Sequence, residues 1–391
     1  MTSTAAVLAE PQLRRSLMVR QHLAGRVATS VEAEVGHLVG MQAQNPPSPY
    51  VALWSRLEGF GQEALSSALL ARTVARVAAM RGTIHLLTAD DALLLPGLMG
   101  PVFARDLRVN ATHAAALAGV DLDELAARAR DVLEDTPMTA GTLGPALGAR
   151  WPDVAPASLA YAARGTLPLV QVTPRGVWGH SLAPTWTTAR AWLGRDEVDL
   201  TDPENRRAAL ERVALRYLAA FGPASVADLQ YWSGLTGLRP VVDGLRERLS
   251  VSRAGPTAAG RPGRELFDVP DAPRDGQEAL PPRLLPDFDN VTLAHADRSR
   301  VVTDEHRQRM ASVNGVLPGK LLVGGRVGAT WQVVRTRGSA AERVATLVIT
   351  PLEPLPDGSW AGVQEEAQGL LGFLAADADE HEVVLAEAAP A

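Results

Sequence analysis

Two glutamines one residue apart, Gln42 and Gln44 in the stretch "MQAQNPPSPY", are the first residues whose type and spacing raise a question of chemistry. Glutamine does not titrate, so neither side chain can act as a general acid or base; a carboxamide can orient a water and present a dipole. On a helix, Gln42 continues the apolar stripe Val31, Val35, Leu38, which aims it at the core or at a cleft. An amide buried there without partners costs about 1–3 kcal/mol, so it needs donors or acceptors around it. The prolines at 46, 47 and 49 are expected to stop that helix and leave Gln44 beside open backbone. By residue type alone, the stronger reading of the pair is hydrogen bonding of orphan carbonyls at a helix end.

Other candidates are weaker. Asp287 and Asp289 in "LPDFDNVTL" alternate along the chain and could pair for acid–base work, as carboxylates do in glycoside hydrolysis. Asp and Asn after Pro more commonly make a turn through their own backbone, and that reading is preferred. His85 and Arg81 flank a bend between two apolar, β-branched runs, where they could touch a nucleic-acid backbone. Arg298, Arg300 and Lys320 are further candidates for phosphate contacts, from charge and position. A phosphate loop fails on spacing, because Asn314 stands where the first Gly is needed and no Ser or Thr follows Lys320. With no cysteine there is no thiolate nucleophile or thiolate metal site, and "HEVVL" lacks the second His of a zinc helix. No metal and no cofactor are expected.

The elements that must position these residues form a weak internal repeat of helix–turn–helix followed by short strands. In the first copy an opening helix spans about 11–25, Thr29 and Glu32 have capping-box spacing, and helices follow near Ser48 and over 62–71. "VARVAAMRGTIHLLT" then reads as strands bent at Arg81-Gly82. The second copy predicts a Thr139-capped helix, a helix at about 157–164, and a hairpin around Thr-Pro-Arg-Gly in "LVQVTPRGVWG". The third is the clearest: Ser225 caps with Asp228 three residues on, Gly234 marks the turn, and Val241, Val242, Leu245 and Leu249 line a second helix. Residues 254–264 read as a flexible basic tip between two strands. Beyond about 280 the chain is strand-rich, closing on a helix with Val363, Ala367, Leu370 and Leu371 on one side. The expected class is α+β: three tandem winged helix-turn-helix modules (11–105, 106–200, 201–279) followed by a β-rich C-terminal part (280–391) with a closing helix.

A formal charge of −6 over 391 residues argues against a protein that coats nucleic acid indiscriminately, without excluding a local basic channel. Lys320 is the only lysine among 38 basic residues. "MTSTAAVLAE" has no basic n-region before an apolar core, and no run approaches the ~18 apolar residues of a spanning helix, so a cytoplasmic monomer without membrane contact is expected.

At this point "MQAQNPPSPYVALWSRL", "MRGTIHLLT", "DLQYWSGL", "LLPDFDNVTLAHADRSR" and "VGGRVGATW" together resemble the HTH_42 winged-helix DNA glycosylases, in their AlkZ-like branch, over about residues 11–375. Gln42-Ala43-Gln44 matches that branch's Gln–apolar–Gln signature, which implies catalytic roles for Gln42 and Gln44. The resemblance further implies double-stranded DNA as partner, excision of bulky N7-alkylpurines including interstrand crosslinks, and a place in base-excision repair or antibiotic self-resistance. Neutral amides suit such a lesion: an N7-alkylated guanine is already cationic and leaves as a neutral base, so positioning and electrostatics replace a strong acid. The competing reading is a winged-helix DNA-binding regulator without chemistry.

Overall fold

The computed structural model describes residues 6–180, 182–256, 263–273, 279–310, 317–337 and 343–387. Its described residues form a mixed α+β fold with three sheets. The largest has six strands, ordered Met41–Gln42, Ile84–Thr88, Val74–Ala78, Leu169–Gln171, Thr185–Thr188 and Met138–Thr139. Strands from 11–105 and from 106–200 therefore share one sheet. A three-stranded sheet joins Ala6–Leu8 to the hairpin Ser250–Ala254 and Glu265–Asp268. Most of the basic tip expected at 254–264 lies outside the described residues.

The five-stranded sheet holds Arg283–Leu285, Gly319–Val323, Arg326–Arg337, Arg343–Pro351 and Glu380–Leu385. Gly324 and Gly325, at φ 56° and 77°, make the two-residue turn between its second and third strands, a conformation that matches the twist of paired strands and that glycine adopts without strain. Helix Trp360–Leu374 covers this sheet through Val363, Ala367, Leu370 and Leu371, all buried, as the sequence indicates.

The third helix pair follows the sequence in its first helix; its second, Arg239–Gly244, ends before Leu245 and Leu249, which the sequence placed on it. Ser225 accepts from the Asp228 amide while the Asp228 carboxylate takes the Ser225 amide, closing a capping box on Val226–Ser233. Gly234 ends that helix at φ 82°. Elsewhere the chain departs from expectation. The cap of Val31–His37 is Ser30, whose side chain accepts from Ala33, so the capping box expected from Thr29 is displaced by one residue. The segment around Thr173–Gly176 is a turn; Leu169–Gln171 pairs instead with Thr185–Thr188 and with Val74–Ala78. Arg76 explains the change, because its guanidinium donates to Gln171 Oε1 and its stem fills the space under Gly176, where a Cβ would lie 2.5 Å from Arg76 Cδ.

Candidate active site

Gln42 lies on a strand, which corrects the helical reading. Helix Val31–His37 ends before the prolines: Val39 and Gly40 turn the backbone at φ 53° and 91°. An added Cβ at Gly40 would stand 2.3 Å from Leu87 Cδ2, so only glycine fits this reversal. The chain leaves it extended, with Met41 opposite Leu86 and Gln42 opposite His85. Ala43 continues the pairing by donating to the Ile84 carbonyl at 2.8 Å. Met41 and Ala43 enter the core with Val35, Leu38 and Leu86, while the strand ends at Gln42 and the backbone bends at Gln44, so the two glutamines straddle the end of the strand.

The ladder breaks after Ala43. Its carbonyl accepts from the Arg76 guanidinium at 2.7 Å, and the Ile84 amide turns to Gln44 Oε1 at 3.4 Å. Gln42, 7% exposed, accepts at Oε1 from Arg81 at 3.0 Å. Both facing groups are donors only, so they settle which end of each amide they meet: the oxygens. Gln44 is exposed.

Arg81 sits in a tight turn at φ 56° between the strands Val74–Ala78 and Ile84–Thr88 and also donates to the carbonyl of Trp232, in the third helix pair. Burial, and then the neighbouring Arg298, lowers its pKa to about 10, so it stays charged at neutral pH. Sequence placed Arg81 on phosphate; the structure turns it inward, onto Gln42. His85 is fully buried beside Gln42, and burial with Arg81 lowers its pKa to about 3. Its Nδ1 faces the Thr83 carbonyl at 2.9 Å, which makes that nitrogen the N–H donor. His85 is therefore a neutral packing residue with no exposed face for DNA.

Two other expected phosphate contacts are likewise buried. Arg300 donates to the Pro223 carbonyl at 3.2 Å, and Lys320 donates to the backbone carbonyl of Asp287. Burial lowers the Lys320 pKa to about 8. Arg298 alone among the distant basic candidates is half-exposed and uncommitted. It stacks 5.1 Å from the Tyr231 ring, its Nε has no hydrogen-bond partner, and no carboxylate pairs with it among the described residues.

The turn 286–290 supports the glutamine strand from behind. Asn290 Nδ2 donates to the Gly40 carbonyl at 2.8 Å, and Ser48 donates to the Asp287 carboxylate. Asp289 caps Asn290–Thr292 by accepting from Val291 and forms a buried two-pronged ion pair with Arg56 at 2.8 and 2.9 Å. The two carboxylates thus make a turn, as their residue types favour, and Asp289 is unavailable for acid–base work. Arg76 and Arg56 were missed by sequence reasoning, although Arg76 is a lone charge within the apolar run "VARVAAM", itself a sign of a buried partner.

The model of the AlkZ-like DNA glycosylases matches residues 35–373. The chain belongs to that family. It is thus a DNA glycosylase, a hydrolase of N-glycosyl bonds. Among curated proteins, an interstrand DNA cross-link repair glycosylase of Streptomyces sahachiroi is 25% identical over 358 residues, covering 90% of this chain and 92% of that protein. The solved structure of the Streptomyces sahachiroi DNA glycosylase AlkZ shares the glycosylase's fold, with a TM-score of 0.77 at 22% identity, across 97% of this chain and 100% of that one. No helix among the described residues is long and apolar enough to cross a membrane.

Proposed function

We propose that this glycosylase hydrolyses the N-glycosidic bond of bulky N7-alkylated purines in duplex DNA, interstrand crosslinks among them, with Gln42 and Gln44 acting at the sugar. The observation that carries the reading is the pair of amides at and just past the end of one strand, each oxygen accepting from a neighbouring donor, Arg81 for Gln42 and the Ile84 amide for Gln44. Held this way, the dipoles are oriented before DNA arrives and cost no reorganisation during reaction. Each oxygen keeps a second lone pair that can accept from an attacking water. Neither amide can protonate a leaving group, so the catalyst favours bases that depart without a proton, as a cationic N7-alkylpurine does. Normal purines are spared.

Arg298 with Tyr231 is the remaining phosphate contact we favour, since its charge is uncommitted. The helix pairs of 11–105, 106–200 and 201–279 are read as three winged helix-turn-helix modules, the first two with their strands merged, followed by the β-rich part 280–391. The working state is a cytoplasmic monomer that meets the lesion in the groove without full extrusion, because a crosslinked base cannot swing out freely. The relative named for interstrand cross-link repair supports the crosslink assignment. Purified protein is expected to release adducted guanine from alkylated duplex, and Gln42→Ala to slow single-turnover release by roughly 10²–10³-fold. Undiminished release by Gln42→Ala would refute the assignment.

A further inference from the structure

Immediately beyond Gln44 the surface opens into a cavity of about 470 Å³, walled on one side by Asn45, Pro47 and Ser48 and on the other by Asp287, Thr330 and Trp331. A second cavity of about 620 Å³ continues from it past Pro47 and Leu374, where Trp178, Val333 and Phe373 form an apolar floor. Both volumes fall in the range of small-molecule sites, and the mixture of aromatic walls with a few polar groups is typical of them.

Three features decide what such a trough takes. Its near end is walled by Asn45, the residue that follows Gln44 in the chain. No Arg, Lys or His lines the first cavity among the described residues, and the one charged group that does is the Asp287 carboxylate. Among the described residues the hydrogen bonds to the Asp287 carboxylate fall on Oδ1, from Ser48 and from the Phe288 amide, so Oδ2 can accept from a ligand. The wall is also built for shape. At Gly319 a Cβ would lie 2.2 Å from the Trp331 ring, so only glycine lets Trp331 pack at this point, and its indole N–H is fixed on the Leu285 carbonyl at 2.9 Å.

We infer that this trough receives the substituent carried on N7 of the lesion, an aromatic or polycyclic group, neutral or bearing a hydrogen-bond donor, while the purine and sugar stand at Gln42 and Gln44. The inference rests on the function proposed above and adds a subsite that selects by the size and chemistry of the adduct.

The experiment fills the trough and compares two lesions. Thr330→Trp narrows the first cavity from its strand wall, and Gln332→Trp does so from an exposed position on the same strand that tolerates replacement. Single-turnover release is measured on duplexes carrying N7-methylguanine and on duplexes carrying an N7-guanine adduct with a polycyclic aryl arm. The expected result is that each variant lowers the ratio of aryl-adduct to methyl release by about ten-fold or more, the size of effect a filled hydrophobic subsite gives. An unchanged ratio in the exposed-site variant Gln332→Trp, whether both rates fall together or neither falls, overturns the subsite. If the unmodified protein releases neither base, the lesion class proposed above fails instead, and the two failures are told apart by that control.

Discussion

Replacing Arg81 separates positioning from DNA binding. One guanidinium spans Gln42 Oε1 at 3.0 Å and the Trp232 carbonyl, two acceptors that a single ammonium cannot reach with the same fork. In Arg81→Lys the glutamine loses a charge-assisted hydrogen bond worth about 1.5–3 kcal/mol. If that bond orients the amide throughout the reaction, the loss appears in the barrier, and at 1.36 kcal/mol per decade the single-turnover rate falls roughly ten- to hundred-fold. Arg81→Met, which removes both bonds, falls further. The assay is base release at saturating protein, run beside DNA affinity over a salt series. Because Arg81 faces inward, affinity and its salt slope are expected to hold. A phosphate contact would behave in the opposite way, weakening affinity on all sequences and lowering the salt slope by about one. That outcome, with unimpaired release at saturation, would refute the positioning role.

Three further predictions follow from the packing. Gly40→Ala forces a φ of 91° on alanine and a contact of 2.3 Å with Leu87, so it is expected to cost more than about 1–3 kcal/mol in urea denaturation and to depress release as well. Asp289→Asn leaves the buried Arg56 charge without its carboxylate and should destabilise by about 3–5 kcal/mol, read by the same denaturation. His85 and His295 both have folded pKa values lowered to about 3, His85 by burial and Arg81, His295 by burial and Arg300. Between that value and the ordinary 6.5 the unfolded chain binds more protons than the folded one. Stability is therefore whole above pH 6.5 and falls on acidification, each histidine contributing about 1.4 kcal/mol per pH unit. A stability flat from pH 7 to 5 would contradict the buried neutral state of both rings.

Features governed by neighbouring residues were legible in the sequence. Ser225, Asp228 and Gly234 announce the first helix of the third pair and its turn, and the closing helix carries its buried stripe. The strand under Gln42 was not legible, because two residues are too few to display a period, and the Val39-Gly40 reversal that ends the preceding helix depends on Leu87 across the sheet. The Thr-Pro-Arg-Gly turn misled because strand partners were chosen at long range by Arg76. Charge misled at Arg300 and Lys320 for a similar reason: nothing local says whether a basic side chain ends in water or on a buried carbonyl. The identity of the candidate catalytic pair came from resemblance; its geometry came from the fold.

The strand Met41–Gln42 is one of the two edge strands of the six. A double helix is a stiff rod, far too wide to be swallowed, and a crosslinked one cannot surrender a single base for inspection elsewhere. Reactive groups sunk in the middle of a sheet would be useless against it. On the proposed function, amides mounted at the rim can be carried to a bond that stays where it is, as a blade is carried to a rope.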